Sequence, residues 1–237
     1  MAKVHQSKQS VGLVCIHGAG LHSRIWSGLS EQLNLPVLAI DFPTIPKKQL
    51  TLEEYTVYIQ QQIQAWEIDK FVIIAHSIGG LLGLKIANMF QDRLVGFVAV
   101  GAAVPKKGGS FLSIFPFAKR VFMSLMLRIF GTKPPEAAIR QGLCNDLTND
   151  QTADIINSFS PESIHLYIDN IEFSIPDVRK IYVKLMDDLE FSPLFQDQMI
   201  ANLAPQSVEK LNTGHLPMLS NPQQLGLIIN NFIESIE

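Results

Sequence analysis

Short apolar runs rich in β-branched residues alternate with amphipathic runs through the first hundred positions. The runs at about 10–17, 36–41, 70–76 and 94–101 are continuously apolar rather than alternating in polarity, as expected of strands buried on both faces. Residues 51–66 predict a helix: Thr51 and Glu54 form a capping box, and Tyr55, Ile59, Ile63 and Trp66 recur at helical spacing. Beyond residue 178 the alternation resumes with a strand from Arg179 to Met186, a helix near 193–203 and a strand near 206–211. A last helix follows, with Asn221 as N-cap, Pro222 in its first turn and Gln224 at its third position. This alternation predicts an α/β fold: a mostly parallel sheet flanked by helices.

Between Pro105 and about Asp177 the strand pattern fails. The segment is helical in pattern, rich in Phe and Met, and punctuated by Gly108-Gly109, Gly131 and Pro134-Pro135. A long helical excursion inside such an alternation reads as a cap over the sheet's functional edge. The expected organisation is one domain spanning 1–237, with a core at 1–104 and 178–237 and a helical cap at about 105–177. The stretch from Phe111 to Phe130 is interrupted by Pro116, Lys119, Arg120 and Arg128, which argues for an amphipathic element and against a transmembrane segment.

The composition narrows the function classes. At 237 residues the chain suffices for one substantial domain, and 47% apolar residues supply a large core and some further apolar surface, which is compatible with a homo-oligomer. A formal charge of −3 gives no basic footprint for nucleic acid. Two cysteines, Cys15 in an apolar strand and Cys144, cannot form a disulfide framework, and no helical His pair or Cys/His cluster has metal-ligand spacing. The first ten residues lack the apolar region of a signal peptide, so the expected location is cytoplasmic.

Candidate chemistry begins at Phe71-Val-Ile-Ile-Ala-His76-Ser77-Ile-Gly79-Gly80, which reads as a buried strand, a serine at a sharp turn, and a glycine pair opening a helix. A residue forced into such a turn carries its side chain over the sheet edge, and small neighbours let the backbones approach. Ser77 is therefore the candidate nucleophile, with Ala75 where such elbows usually have glycine. A serine hydroxyl needs a base, and a carboxylate that sets the base's tautomer. Of six histidines, His215 lies between the last strand and the last helix, a loop that opens on the same edge as Ser77. Asp187, Asp188 and Glu190 follow the carboxyl end of another strand and compete for the role of acid.

Three motifs carry a family resemblance: His17-Gly-Ala-Gly-Leu-His-Ser-Arg-Ile-Trp26, Ala75-His-Ser-Ile-Gly-Gly80, and Arg179-Lys-Ile-Tyr-Val with Asp188-Leu-Glu-Phe-Ser-Pro-Leu-Phe-Gln196. The chain resembles the α/β-hydrolases, and its second half is similar to the plant methylesterase and hydroxynitrile lyase branch. The resemblance implies Asp188 as the acid, the backbone N–H groups of Ala19 and Ile78 as oxyanion donors, no cofactor, and a small-molecule ester substrate cleaved through an acyl-enzyme. Leu216 stands where hydroxynitrile lyases carry a lysine, which favours ester hydrolysis over cyanogenic chemistry. An apolar entrance is expected from Phe111, Phe115, Phe117, Phe122, Met123, Met126 and Phe130. His22, His76, Phe122, Met126 and Leu216 are the candidates for substrate contact.

Two other readings compete. Gly18-Ala-Gly20-Leu-His-Ser23 follows a strand, and Asp41 ends the next one, as in a Rossmann-type nucleotide-binding unit, although Ser23 replaces the third glycine. A slow-turnover ligand receptor on the hydrolase fold would carry the same triad.

Overall fold

The computed structural model describes residues 10–43 and 50–236; His5 and the rest of the N-terminal segment lie outside them. Its strands are β1 (Val11–Ile16), β2 (Val37–Ala39), β3 (Lys70–His76), β4 (Leu94–Val100), β5 (Arg179–Leu185) and β6 (Ser207–Leu211). They form one sheet in the order β2-β1-β3-β4-β5-β6, with every neighbouring pair parallel. The longer helices are α1 (Leu52–Gln64), α2 (Gly79–Met89), α3 (Phe117–Phe130), α4 (Asn149–Ser158), α5 (Pro193–Leu203) and α6 (Pro222–Glu234).

Successive strand residues point to opposite faces, and here both faces are covered. β1 and β3 send Val14, Ile16, Phe71, Ile73 and Ala75 into one core, with Tyr55, Ile59 and Ile63 of α1 and Leu81 and Leu82 of α2. Leu13, Cys15, Val72 and Ile74 enter the other, with Trp26 and with Leu225, Ile229 and Phe232 of α6. Two-sided burial is why the strands read as unbroken apolar runs. Each fully buried Ile or Tyr of α1 contributes about 1.5–3 kcal/mol.

Local signals set the element ends. Thr51 Oγ1 accepts the Glu54 N–H at 3.3 Å while Glu54 accepts the Thr51 N–H at 2.7 Å, which completes the capping box. Helix α1 stops at Gln64, short of Trp66, whose ring lies over Gly12; a Cβ at Gly12 would come within 2.3 Å of it. Strand β2 is shorter than its apolar run; beyond it the Ile40 N–H still donates to the Cys15 carbonyl at 2.9 Å, and the Asp41 N–H donates to Gln62 Oε1 at 3.2 Å. At α6, Asn221 Oδ1 accepts the Gln224 N–H at 3.1 Å and Pro222 occupies the first turn.

The connection from β1 to β2 packs on one face, whereas α2, between β3 and β4, packs on the other. The chain reverses its winding between β1 and β3, and a crevice opens at their carboxyl ends. The loops bearing His17-Gly18-Ala19 and Ser77 leave from those two ends.

Candidate active site

Ser77 adopts φ 53°, a left-handed conformation that a non-glycine residue holds only where its surroundings enforce it. Its carbonyl accepts the N–H groups of Ala103 at 2.8 Å and Gly80 at 3.0 Å. The glycines around it answer close contacts: a Cβ at Gly79 would lie 2.6 Å from the His17 carbonyl oxygen, and one at Gly80 would lie 2.6 Å from that of Ala103. Ala75 occupies the elbow's usual glycine position, and its methyl points at Gly83 of α2, where an added Cβ would stand 3.0 Å away. The departure at residue 75 is accommodated by a second glycine eight residues later.

Three carboxylates follow β5, and they are held differently. Asp188 is 1% exposed. Its Oδ2 accepts the Nδ1–H of His215 at 2.8 Å, and its Oδ1 accepts the N–H groups of Glu190 and Phe191, each at 2.8 Å. Asp187 is exposed and joins the site only through its backbone, donating to Thr213 O at 3.1 Å and accepting from Asn145 at 2.9 Å. Buried Gln196 shapes the turn, donating to the carbonyls of Leu185 and Phe191 at 2.8 and 2.6 Å and accepting the Leu185 N–H at 2.9 Å.

His215 is 2% exposed. Burial works to lower its basicity, but the charge and hydrogen bond of Asp188, with Glu190 and Asp146 nearby, leave the imidazole above its ordinary value. The Asp188 bond places the proton on Nδ1 and leaves Nε2 as the acceptor. His76 is the reverse case: burial first, then the neighbouring His215, hold it well below the ordinary value. As a neutral ring it donates Nε2–H to the His215 carbonyl at 2.8 Å.

Ser77, His215, Ala19 and Ile78 share the wall of one cavity of about 250 Å³. Neither the Ala19 nor the Ile78 N–H donates to another described residue. The rest of the wall is largely apolar, from Phe111, Phe115, Met123, Leu127, Ile139 and Phe159, with Lys119 and Glu190 as its charged members. Glu190 is exposed as a residue, yet desolvation at its carboxyl, against the opposing His215 charge and with the Asp188 charge adding, pushes it above the usual carboxylate range.

None of the five residues expected to touch substrate lines this cavity. Phe122 is 61% exposed on the outer face of α3, and half-buried Met126 lies one helical turn beyond it; Met123 and Leu127 face the cavity instead. Phe117 and Phe130, expected at the entrance, also point outward, at 71% and 75% exposure. His22 is turned away to the Ser158 carbonyl at 2.8 Å, His76 is buried behind His215, and Leu216 is fully buried in the second core.

Residues 13–225 match the sequence pattern of the alpha/beta hydrolase family. The chain belongs to that family. Among curated relatives, this alpha/beta hydrolase is similar to putative methylesterase 14, chloroplastic, of Arabidopsis thaliana, with 24% identity over 91% of this chain and 70% of the relative. Methylesterase 3 of the same plant is 26% identical over 93% of this chain and 94% of its own length. Among solved structures, an extracellular alpha/beta-hydrolase from a Paenibacillus species aligns with a TM-score of 0.83 and 18% identity, over 93% of this chain and 98% of that one.

The hydrolase fold also accounts for the residues that resembled a nucleotide site. Asp41 does not stand free for a ribose: its carboxylate accepts the Ser23 N–H and hydroxyl, both at 2.8 Å, and so caps the turn at Ser23–Trp26. Gly20, at φ 77°, lies under the Phe159 ring, and its carbonyl accepts the Ser160 N–H at 3.0 Å. A dinucleotide fold would also order its strands 3-2-1-4-5-6 rather than as observed.

Sequence reasoning missed Asp146, whose carboxylate accepts the Gly214 N–H at 2.6 Å and ties the segment between β4 and β5 to the His215 loop. No local pattern announces that contact. It also missed Phe191 as cavity wall, although that residue stands within the run quoted for the family resemblance.

Proposed function

We propose that this chain is a carboxylic ester hydrolase that works through an acyl-enzyme on Ser77. The observation that carries the proposal is the single cavity whose wall contains Ser77, His215 and the two N–H-bearing residues Ala19 and Ile78, with Asp188 bonded behind the imidazole. The methylesterase names of the relatives support the same reaction class.

The Ser77 hydroxyl attacks the ester carbonyl as its proton passes to His215 Nε2. The oxyanion accepts from the Ala19 and Ile78 N–H groups, each contributing about 3 kcal/mol in comparable sites. Collapse expels the alcohol, which takes the proton from His215 and leaves the acyl group on Ser77. A water molecule then attacks the acyl-enzyme, its proton going to His215 and onward to Ser77 as the acid departs. Asp188 holds the tautomer throughout and stabilises the transient imidazolium.

The residues between β4 and β5 act as a cap, and their aromatic and aliphatic side chains favour an apolar acyl or alcohol part. A panel of p-nitrophenyl esters tests this: kcat/KM rises from acetyl to butyryl. A flat or falling series contradicts the apolar site.

A further inference from the structure

Helix α3 presents an outer face that no other element among the described residues covers. It has no buried residue, and Phe117, Val121, Leu125 and Ile129, spaced by four, are 71%, 52%, 51% and 59% exposed. Phe122 flanks the same face at 61%, and Phe130, at the carboxyl end of the helix, is 75% exposed. Six large apolar side chains exposed on one helix exceed the scattered exposure expected of a soluble surface.

Along the sequence the charge of this segment is one-sided, and the acids beside it in space, Asp169 and Glu172, come from the residues that follow. Residues 105–135 contain Lys106, Lys107, Lys119, Arg120, Arg128 and Lys133, six of the chain's 19 basic residues, and none of its 22 acids. The chain as a whole carries −3, so the positive charge is concentrated here. On the ridge beside the apolar one, Arg120, Ser124 and Arg128 recur at four-residue spacing and line a groove of about 440 Å³ with Ser110, Leu125 and Asn170. Two guanidinium groups among hydroxyl and amide groups suit a phosphodiester.

We propose that the outer face of α3 docks on an anionic phospholipid bilayer, its apolar ridge entering the interface and a lipid phosphate lying between Arg120 and Arg128. The 14-residue helix is about 21 Å long, short of the roughly 30 Å hydrocarbon core, so it lies on the membrane rather than across it. Apolar insertion and attraction of basic side chains to anionic lipid act together, and neither alone holds a protein firmly. Met123 and Leu127 of the same helix wall the cavity that contains Ser77, so the docked bilayer is about one helix diameter, roughly 10 Å, from that cavity.

Co-sedimentation of the full chain with vesicles tests this without reference to hydrolysis. The protein partitions to phosphatidylcholine–phosphatidylglycerol vesicles about tenfold or more above pure phosphatidylcholine, and the preference weakens as salt is raised from about 0.1 M to about 1 M. Leu125→Ser/Ile129→Ser lowers partitioning about tenfold or more, and Arg120→Gln/Arg128→Gln abolishes the anionic preference. Unchanged thermal midpoints show that both variants fold, as their exposure requires; if the first does not fold, the arginine variant decides. Failure of the wild type to sediment with either vesicle, or equal sedimentation of wild type and folded variants, overturns the proposal. So does a dimer in sedimentation velocity that Leu125→Ser/Ile129→Ser dissociates while vesicle binding is absent, because the face then belongs to a second copy.

Discussion

His76 donates its Nε2–H to the backbone carbonyl of His215 at 2.8 Å, so the residue preceding Ser77 anchors the loop that carries His215. Its other nitrogen, Nδ1, is buried with no hydrogen-bond partner among the described residues. His76→Phe keeps a ring in place but removes the donor and leaves the His215 carbonyl unpaired. Denaturant unfolding should show a loss of about 1–3 kcal/mol, and His76→Gln, which restores an N–H donor, should recover part of it.

Asp188 and Asp187 are adjacent in sequence and unlike in consequence. Asp188→Asn removes the charge that raises the His215 imidazole, so kcat should fall by about 10⁴-fold. The pH profile follows from the sign of the shift. As the proposed base His215 works neutral, and it lies above its ordinary value, so wild-type kcat/KM should be lost as pH falls through that raised value. In Asp188→Asn the residual acid limb moves to lower pH, because burial then acts with less opposition. Asp187→Asn, altering an exposed side chain, leaves both the limb and kcat in place; an equal loss in the two variants contradicts the assignment.

Residues 75 and 83 form a testable pair. Gly83→Ala puts a methyl 3.0 Å from that of Ala75 and 3.3 Å from Ile73 and Phe97, which must shift by a few tenths of an ångström to admit it, and should cost about 1–3 kcal/mol. Ala75→Gly removes the closest of these contacts. In a double-mutant cycle read by unfolding, Gly83→Ala should cost less in the Ala75→Gly background. Additive effects contradict the account of how the elbow tolerates alanine.

The sheet was legible in the sequence because burial on both faces makes a strand an unbroken apolar run, and β3 through Ser77 is the clearest case. His215 was nominated for a related reason: parallel strands put all their carboxyl-end loops on one edge, so chain order narrowed the choice, and the structure bonds that histidine to Asp188. Asp188 needed the family resemblance, since Asp187, Asp188 and Glu190 all reach that edge and only three-dimensional contacts separate them. The α3 helix misled. Its more apolar side, with Phe117, Val121, Leu125, Ile129 and Phe122, faces outward, while Met123 and Leu127 face the cavity. Amphipathic pattern identifies which side is greasier, and on a helix that walls the candidate site that need not be the side that packs.

The cavity wall offers a specificity test. Leu127→Trp adds bulk to the cavity that contains Ser77, so kcat/KM for a hexanoyl ester should drop by about tenfold or more relative to an acetyl ester. Phe122→Trp, on the outer face, leaves that ratio where it is.

The most direct measurement is labelling of the folded protein by a fluorophosphonate, followed by intact mass and peptide mapping. The account predicts one adduct, on Ser77, with labelling and ester hydrolysis both lost in Ser77→Ala while the thermal midpoint is retained. Hydrolysis that persists in Ser77→Ala, or an adduct on another residue, contradicts it.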